Sequence, residues 1–206
     1  MHNTPQSIEN KVLRSMRARP NASAISAKQF SRYGNALAVG QALSRLAKAG
    51  KIRRIRQGLY DLPRPHPVAG QTAPDPMAAV RALMEGSSAQ WQVSGAYAAN
   101  LLGLSEQVPG RIVVLTNGSP RQVKLDKLTL VFRRAAPRYL LGAGRPAGLV
   151  IQAIRHLRER GLEPARLEAL RATLDADTKS ELAALTPKLP AWMQPIVQRL
   201  TGAAKA

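Results

Sequence analysis

Gln41, Ser44, Arg45 and Lys48 recur at spacings of three and four residues, so a helix would set them side by side on one face. An amide and a guanidinium so placed present the paired groups that match adenine and guanine edges in a DNA major groove. The lysine beside them suits phosphate oxygens, which hold register without reading sequence. Immediately downstream, KIRRIR sets Lys51, Arg53, Arg54 and Arg56 within six residues. Arginine forks suit phosphates and narrow minor grooves better than lysine does. These are the candidate contacts to nucleic acid: the groove, with its base edges and flanking phosphates, for the first group, and backbone for the second.

The surrounding pattern supplies elements able to hold them. Val39, Ala42, Leu43 and Leu46 cluster opposite Gln41, Arg45 and Lys48 when plotted at about 100° per residue. Asn35 stands at the cap position, and Gly50 ends the helix after about Ala49. Leu37 projects toward the polar side, either to meet a thymine methyl or to pack on a neighbouring loop, with packing favoured. Upstream, Ser7 caps a helix whose apolar positions are Ile8, Val12, Leu13 and Met16, ended by Arg-Pro-Asn at 19–21. Ser26 caps a second, short helix over 27–33 that Gly34 stops. Three helices, the last two joined by a tight glycine turn, make a helix-turn-helix. Residues 52–56 and 59–62 then read as two strands around Gln57-Gly58, a hairpin that would form a wing. The spacing of Ile52 and Ile55 breaks strict alternation and predicts a bulge or a late strand start.

Charge agrees with this placement. The 206 residues hold 31 Lys+Arg against 12 Asp+Glu, a net charge of +19. Residues 1–74 hold 13 cations and 2 anions, whereas residues 161–206 hold 6 and 5. So strong an excess implies a polyanionic partner, and one that meets the first third of the chain. Double-stranded DNA fits; a membrane does not, because no apolar run approaches the ~20 residues a span needs. With no signal-peptide core, the cytoplasm is the expected compartment; the lack of cysteine excludes disulfides and thiolate metal sites and says nothing further about compartment. His2, His66 and His156 have no partners at metal-ligand spacing, and no nucleophile, Walker or zinc motif occurs. The reading is therefore a non-enzyme without catalytic residues, metal or cofactor.

Pro63, Pro65, Pro67 and the following GQTAPDP read as a semi-rigid linker. Beyond it, helix is expected over 76–85, a strand at 91–93, helix over 94–102, strands at 111–116, 121–125 and 128–134, and helix over about 146–160. The strand run, with turns at Asn117-Gly118 and Asp126-Lys127, reads as an antiparallel meander. Leu167, Leu170 and Leu174, then Leu182, Leu185 and Leu189, mark two or three closing helices. The expected fold is α+β: an N-terminal winged helix-turn-helix domain (1–63), a linker (64–74), and a mixed α/β domain ending in helices (75–206).

Two stretches carry a family resemblance. SAKQFSRYGNALAVGQALSRLAKAGKIRRIRQGLYDLP resembles the winged-helix domain of AbiEi-type antitoxins of type IV toxin–antitoxin systems. SGAYAANLLGLSEQVPGRIVVLTNGSPRQV, residues 94–123, resembles the second domain of the same family and is the more distinctive block. The resemblance implies a transcriptional repressor of its own operon that counteracts a nucleotidyltransferase-like toxin. It carries groove contact onto Gln41, Arg45 and Lys48 and backbone contact onto Arg53, Arg54 and Arg56. The alternatives are an RNA-binding or nuclease-like module, drawing on Arg133, Arg134 and Arg138, and an orphan winged-helix regulator without a toxin partner.

Overall fold

The computed structural model describes residues 7–19, 24–66, 70–125, 128–158 and 162–202. The chain divides into two compact units, Met1–Ser87 and Ser88–Ala206. The fold is α+β, with a winged helix-turn-helix unit followed by a mixed α/β unit that ends in helices.

The first unit is built on α1 (Ile8–Arg17), a 3-10 helix (Ala27–Tyr33) and α2 (Ala36–Lys48). Ser7, Ser26 and Asn35 each accept a backbone N–H at a helix start, so all three expected caps form. Val12, Leu13 and Met16 of α1 meet Phe30 and the Val39, Leu43 and Leu46 stripe of α2 in one core. The end of α2 aims the wing. Gly50 takes φ +66°, its N–H donates to the Ala47 carbonyl, and Lys51 N–H donates back to Leu46. This is a Schellman closure, which reverses the chain within two residues and delivers Ile52 into the core.

The wing strands β2 (Arg53–Arg56) and β3 (Leu59–Asp61) pair antiparallel, with a register shift between Arg54 and Arg56. Both the late start and the bulge expected from Ile52 and Ile55 are present. A strand that periodicity does not reveal, β1 (Ile25–Ser26), pairs with β3, so the sheet order is β1-β3-β2. Two residues are too short for a period to register.

The linker and domain boundary differ from expectation. Pro65–His66 (β4) and Gly70–Gln71 (β5) pair as a small hairpin, closed by Thr72 N–H donating to the Arg64 carbonyl. Pro67 lies outside the described residues. The following helix, α3 (Pro76–Met84), packs against β1 and β3 and so belongs to the first unit. Its buried Ala79, Val80, Ala82 and Met84 supply the reason, since an apolar stripe covers whichever sheet it can reach.

The second unit holds a four-stranded sheet ordered β6-β7-β9-β8, from β6 (Trp91–Ser94), β7 (Arg111–Thr116), β8 (Arg121–Leu125) and β9 (Leu128–Arg134). The expected antiparallel meander is corrected. β9 inserts beside β7 in parallel, leaving β8 at the edge. Burial explains the order: Leu130, Val131 and Phe132 of β9 are buried in succession, as an inner strand covered on both faces requires. β8 exposes Arg121, Gln122 and Lys124, side chains that suit an edge. The Asp126-Lys127 turn lies outside the described residues, as do Glu159 and Arg160 at the expected end of the next helix.

Helices α4 (Gly95–Leu101), α5 (Pro146–Leu157), α6 (Pro164–Thr173), α7 (Ala176–Leu185) and α8 (Gln194–Thr201) share one core around Val150, Ile151 and Ile154. Leu167, Leu170, Leu182 and Leu189 are buried in it, and Leu174 and Leu185 pack at its margin. The start of α5 is fixed by close approach: a Cβ on Gly148 would stand 2.2 Å from the Gly142 carbonyl oxygen.

Candidate nucleic-acid interface

The polar face of α2 survives folding as an exposed surface. Gln41, Arg45 and Lys48 are exposed and Ser44 is half-buried, while Val39, Ala42, Leu43 and Leu46 are buried beneath them. Leu37 is 72% exposed, so the packing favoured for it does not occur among the described residues. It adds an apolar contact to the same face. Gly40, inside α2, is a position that periodicity does not single out. An interior glycine costs a helix about 1 kcal/mol relative to alanine. Nothing lies within 4 Å of a Cβ built there, so packing inside the chain does not require it. A helix lying against a flat or grooved ligand does benefit from missing that atom.

Residues 1–74 contain two carboxylates, Glu9 and Asp61, and the structure pairs both with candidate arginines. The two pairs differ in kind. Arg45 Nε donates to Glu9 Oε1 at 2.6 Å, from α2 to α1, with the side chains 61% and 32% exposed. An ion pair that wet contributes at most about 1 kcal/mol and exchanges readily for another anion.

Arg53 is different, and here the sequence expectation needs correction. Its Nε donates to Asp61 Oδ1 at 2.9 Å, a second nitrogen bonds Oδ2, and Nη2 also donates to the Thr72 carbonyl at 2.9 Å. Asp61 is wholly buried. With its guanidinium committed to these acceptors, Arg53 ties β2 to β3 and to the hairpin beyond, rather than facing a ligand. Cross-strand register places Arg53 opposite Asp61, a pairing that requires knowing which residues face each other across the turn.

Lys51, Arg54 and Arg56 remain. All three are exposed, and none has an ion pair among the described residues. The bulge bends β2 between the two arginines and adds local twist. α1 contributes a further cationic face that the sequence reading missed. Arg14 and Arg17, one turn apart, line a shallow concavity of about 550 Å³ with Asn10 and Leu13. The three-residue spacing of those arginines is the signal that points to it, whereas the apolar positions of α1 report only its core face.

A family model described as a family of unknown function, DUF6088, matches residues 11–182, reaching into both units. The chain belongs to the DUF6088 family. No curated protein matches this DUF6088 chain. Among solved structures, the crystal structure of RV2827C protein from Mycobacterium tuberculosis is similar over 97% of this chain and 82% of that one, at 17% identity and a TM-score of 0.41. Within this DUF6088 protein, no group of three or more metal-binding side chains occurs among the described residues, and no described helix is long and apolar enough to cross a membrane.

Proposed function

We propose that this protein is a cytoplasmic, sequence-specific binder of double-stranded DNA. Gln41, Ser44 and Arg45 meet base edges from the face of α2 with Lys48 on the phosphates beside them, while Lys51, Arg54 and Arg56 hold the backbone. The observation that carries this reading is an exposed polar face on α2 together with wing cations that have no ion pair among the described residues, in a unit poor in acids. Gly40 supports it, because close approach to a groove gives the missing Cβ a purpose.

Arg45→Ala is expected to lose discrimination between operator and random duplex, since a good bidentate contact contributes about 1–3 kcal/mol per base pair. Glu9→Gln acts in the opposite sense. It frees Arg45 and removes a negative charge beside the groove, so affinity for every duplex should rise several-fold. Gel shifts at two salt concentrations read both effects, and unchanged binding in both variants would rule out this face. Gly40→Ala should raise stability by about 0.5–1 kcal/mol and yet weaken operator binding. A variant that is both more stable and equally tight would leave Gly40 without a role at the groove.

We further propose that the protein represses its own operon as the antitoxin of a type IV system, counteracting a nucleotidyltransferase-like toxin. This rests on the AbiEi-like stretches, above all residues 94–123 in the second unit. Co-expression with a neighbouring nucleotidyltransferase reading frame should restore growth. An Arg54→Ala, Arg56→Ala variant should still restore it, because neutralisation is assigned to the second unit. Failure of the wild-type chain to restore growth would discard the antitoxin role and leave a DNA-binding regulator.

A further inference from the structure

The second unit carries a cavity of about 420 Å³ beside the ends of β7 and β9. The two strands run parallel with Leu115 opposite Arg133 and Thr116 opposite Arg134, so their carboxyl ends reach the same side. Arg133 and Arg134 line the cavity from β9, and Arg155 and His156 line it from α5. No lining residue among those described is acidic. Converging like charges repel one another, and an anion drawn into the space they enclose offsets that repulsion.

Arg155 is the most informative of these groups. Its Nε is buried and has no hydrogen-bond partner among the described residues. Burial lowers its pKa from the ordinary arginine value, Tyr139 opposes the shift, and Arg138 adds to it. A guanidinium does not deprotonate in a protein, so the charge stays and the buried donor stays unsatisfied. The group is nonetheless held in place. Its guanidinium carbon stands 4.9 Å from the centre of the Tyr139 ring, and the Tyr139 carbonyl accepts from Gln152 Nε2 at 2.6 Å on the same helix. A buried, oriented guanidinium N–H with no partner among the described residues, on the same side of the sheet as Arg133, is what an oxyanion site requires. Leu115, Ala135 and Ala136 add an apolar part to the lining.

We propose that this cavity binds a small organic phosphate. Arg133, on the sheet face that α5 covers, and Arg155 take the phosphate, and the carried organic group lies against Leu115, Ala135 and Ala136. Its volume falls within the range of roughly 300–1,000 Å³ typical of small-molecule sites. The site belongs to the second unit alone and stands whether or not the first unit binds DNA.

Titration calorimetry on the full chain at low ionic strength tests it with AMP, inorganic phosphate and adenosine as probes. AMP should bind most tightly, phosphate more weakly, and adenosine at least roughly tenfold more weakly than AMP, because it lacks the charge-assisted hydrogen bonds. Arg155→Met keeps the stem against Tyr139 and should weaken AMP by roughly tenfold or more, with partial recovery in Arg155→Lys. If Arg155→Met fails to fold, exposed Arg133→Gln reads the same loss without disturbing the core. Three outcomes overturn the proposal: no heat from AMP or phosphate up to about 10 mM, adenosine matching AMP, or AMP affinity unchanged in the variants. A fourth also does: a 5′-hydroxyl oligonucleotide matching its 5′-phosphorylated form in an Arg155-dependent way, which would make the cavity a strand-backbone site.

Discussion

Replacing Arg54 and Arg56 together by alanine should lower affinity for operator and random duplex alike, by roughly 10- to 100-fold at about 0.1 M salt. Both side chains are exposed on the wing and neither is held by a carboxylate among the described residues. Each phosphate neutralised releases condensed counterions, so removing both arginines should shallow the plot of log affinity against log salt by about 2. The pattern of the effect separates backbone binding from base reading. Truncating Arg45 takes away a base reader and narrows the gap between operator and random DNA. Truncating the wing arginines weakens both duplexes and leaves their ratio in place. Folding should be unaffected, because exposed substitutions away from special features stay within about 0.5 kcal/mol. Equal salt slopes for the variant and the parent would exclude the wing from the interface.

Which of these residues are legible in the sequence follows from what periodicity can and cannot report. The amphipathic stripe of α2 and its Asn35 cap are local properties, and they appear in the structure where the spacing puts them. The bounds of β7, β8 and β9 are local too, and match the residues read from the sequence. Strand order is not local. Nothing within 121–125 or 128–134 states that β9 will slip between β7 and β8; only the burial of Leu130, Val131 and Phe132 on both faces does. The same limit hides the role of Arg53, whose neighbours in sequence are cations and whose neighbour in space is Asp61. A charge run reads as one surface until the register separates its members. The pocket around Arg155 is harder still, because Arg133 comes from β9 and Arg155 from α5, and nothing in the sequence between them states that they meet.

Asp61→Ala should be the most damaging single substitution in the first unit, costing about 2–4 kcal/mol. Removing one partner of a buried ion pair costs about 3–5 kcal/mol because the remaining charge is left uncompensated. Arg53 is 31% exposed, so water recovers part of that cost. The substitution would also release the Arg53 hydrogen bond to Thr72, whose hydroxyl accepts from Arg64 N–H, loosening the hairpin against the wing. For a unit of this size each kcal/mol lowers Tm by about 4–8 °C, giving a fall of about 8–32 °C that a thermal melt would resolve. Arg53→Met should be at least as costly, since it strands a carboxylate that is wholly buried. Changing both together to Met and Leu should recover much of the stability, because apolar side chains leave neither charge unpaired. That recovery distinguishes the two roles open to Arg53. If it met phosphate, Arg53→Met would keep the melting temperature and flatten the salt dependence of DNA binding. As the partner of Asp61, it should do the reverse: the melt shifts, while the salt slope of the protein that remains folded stays that of the parent.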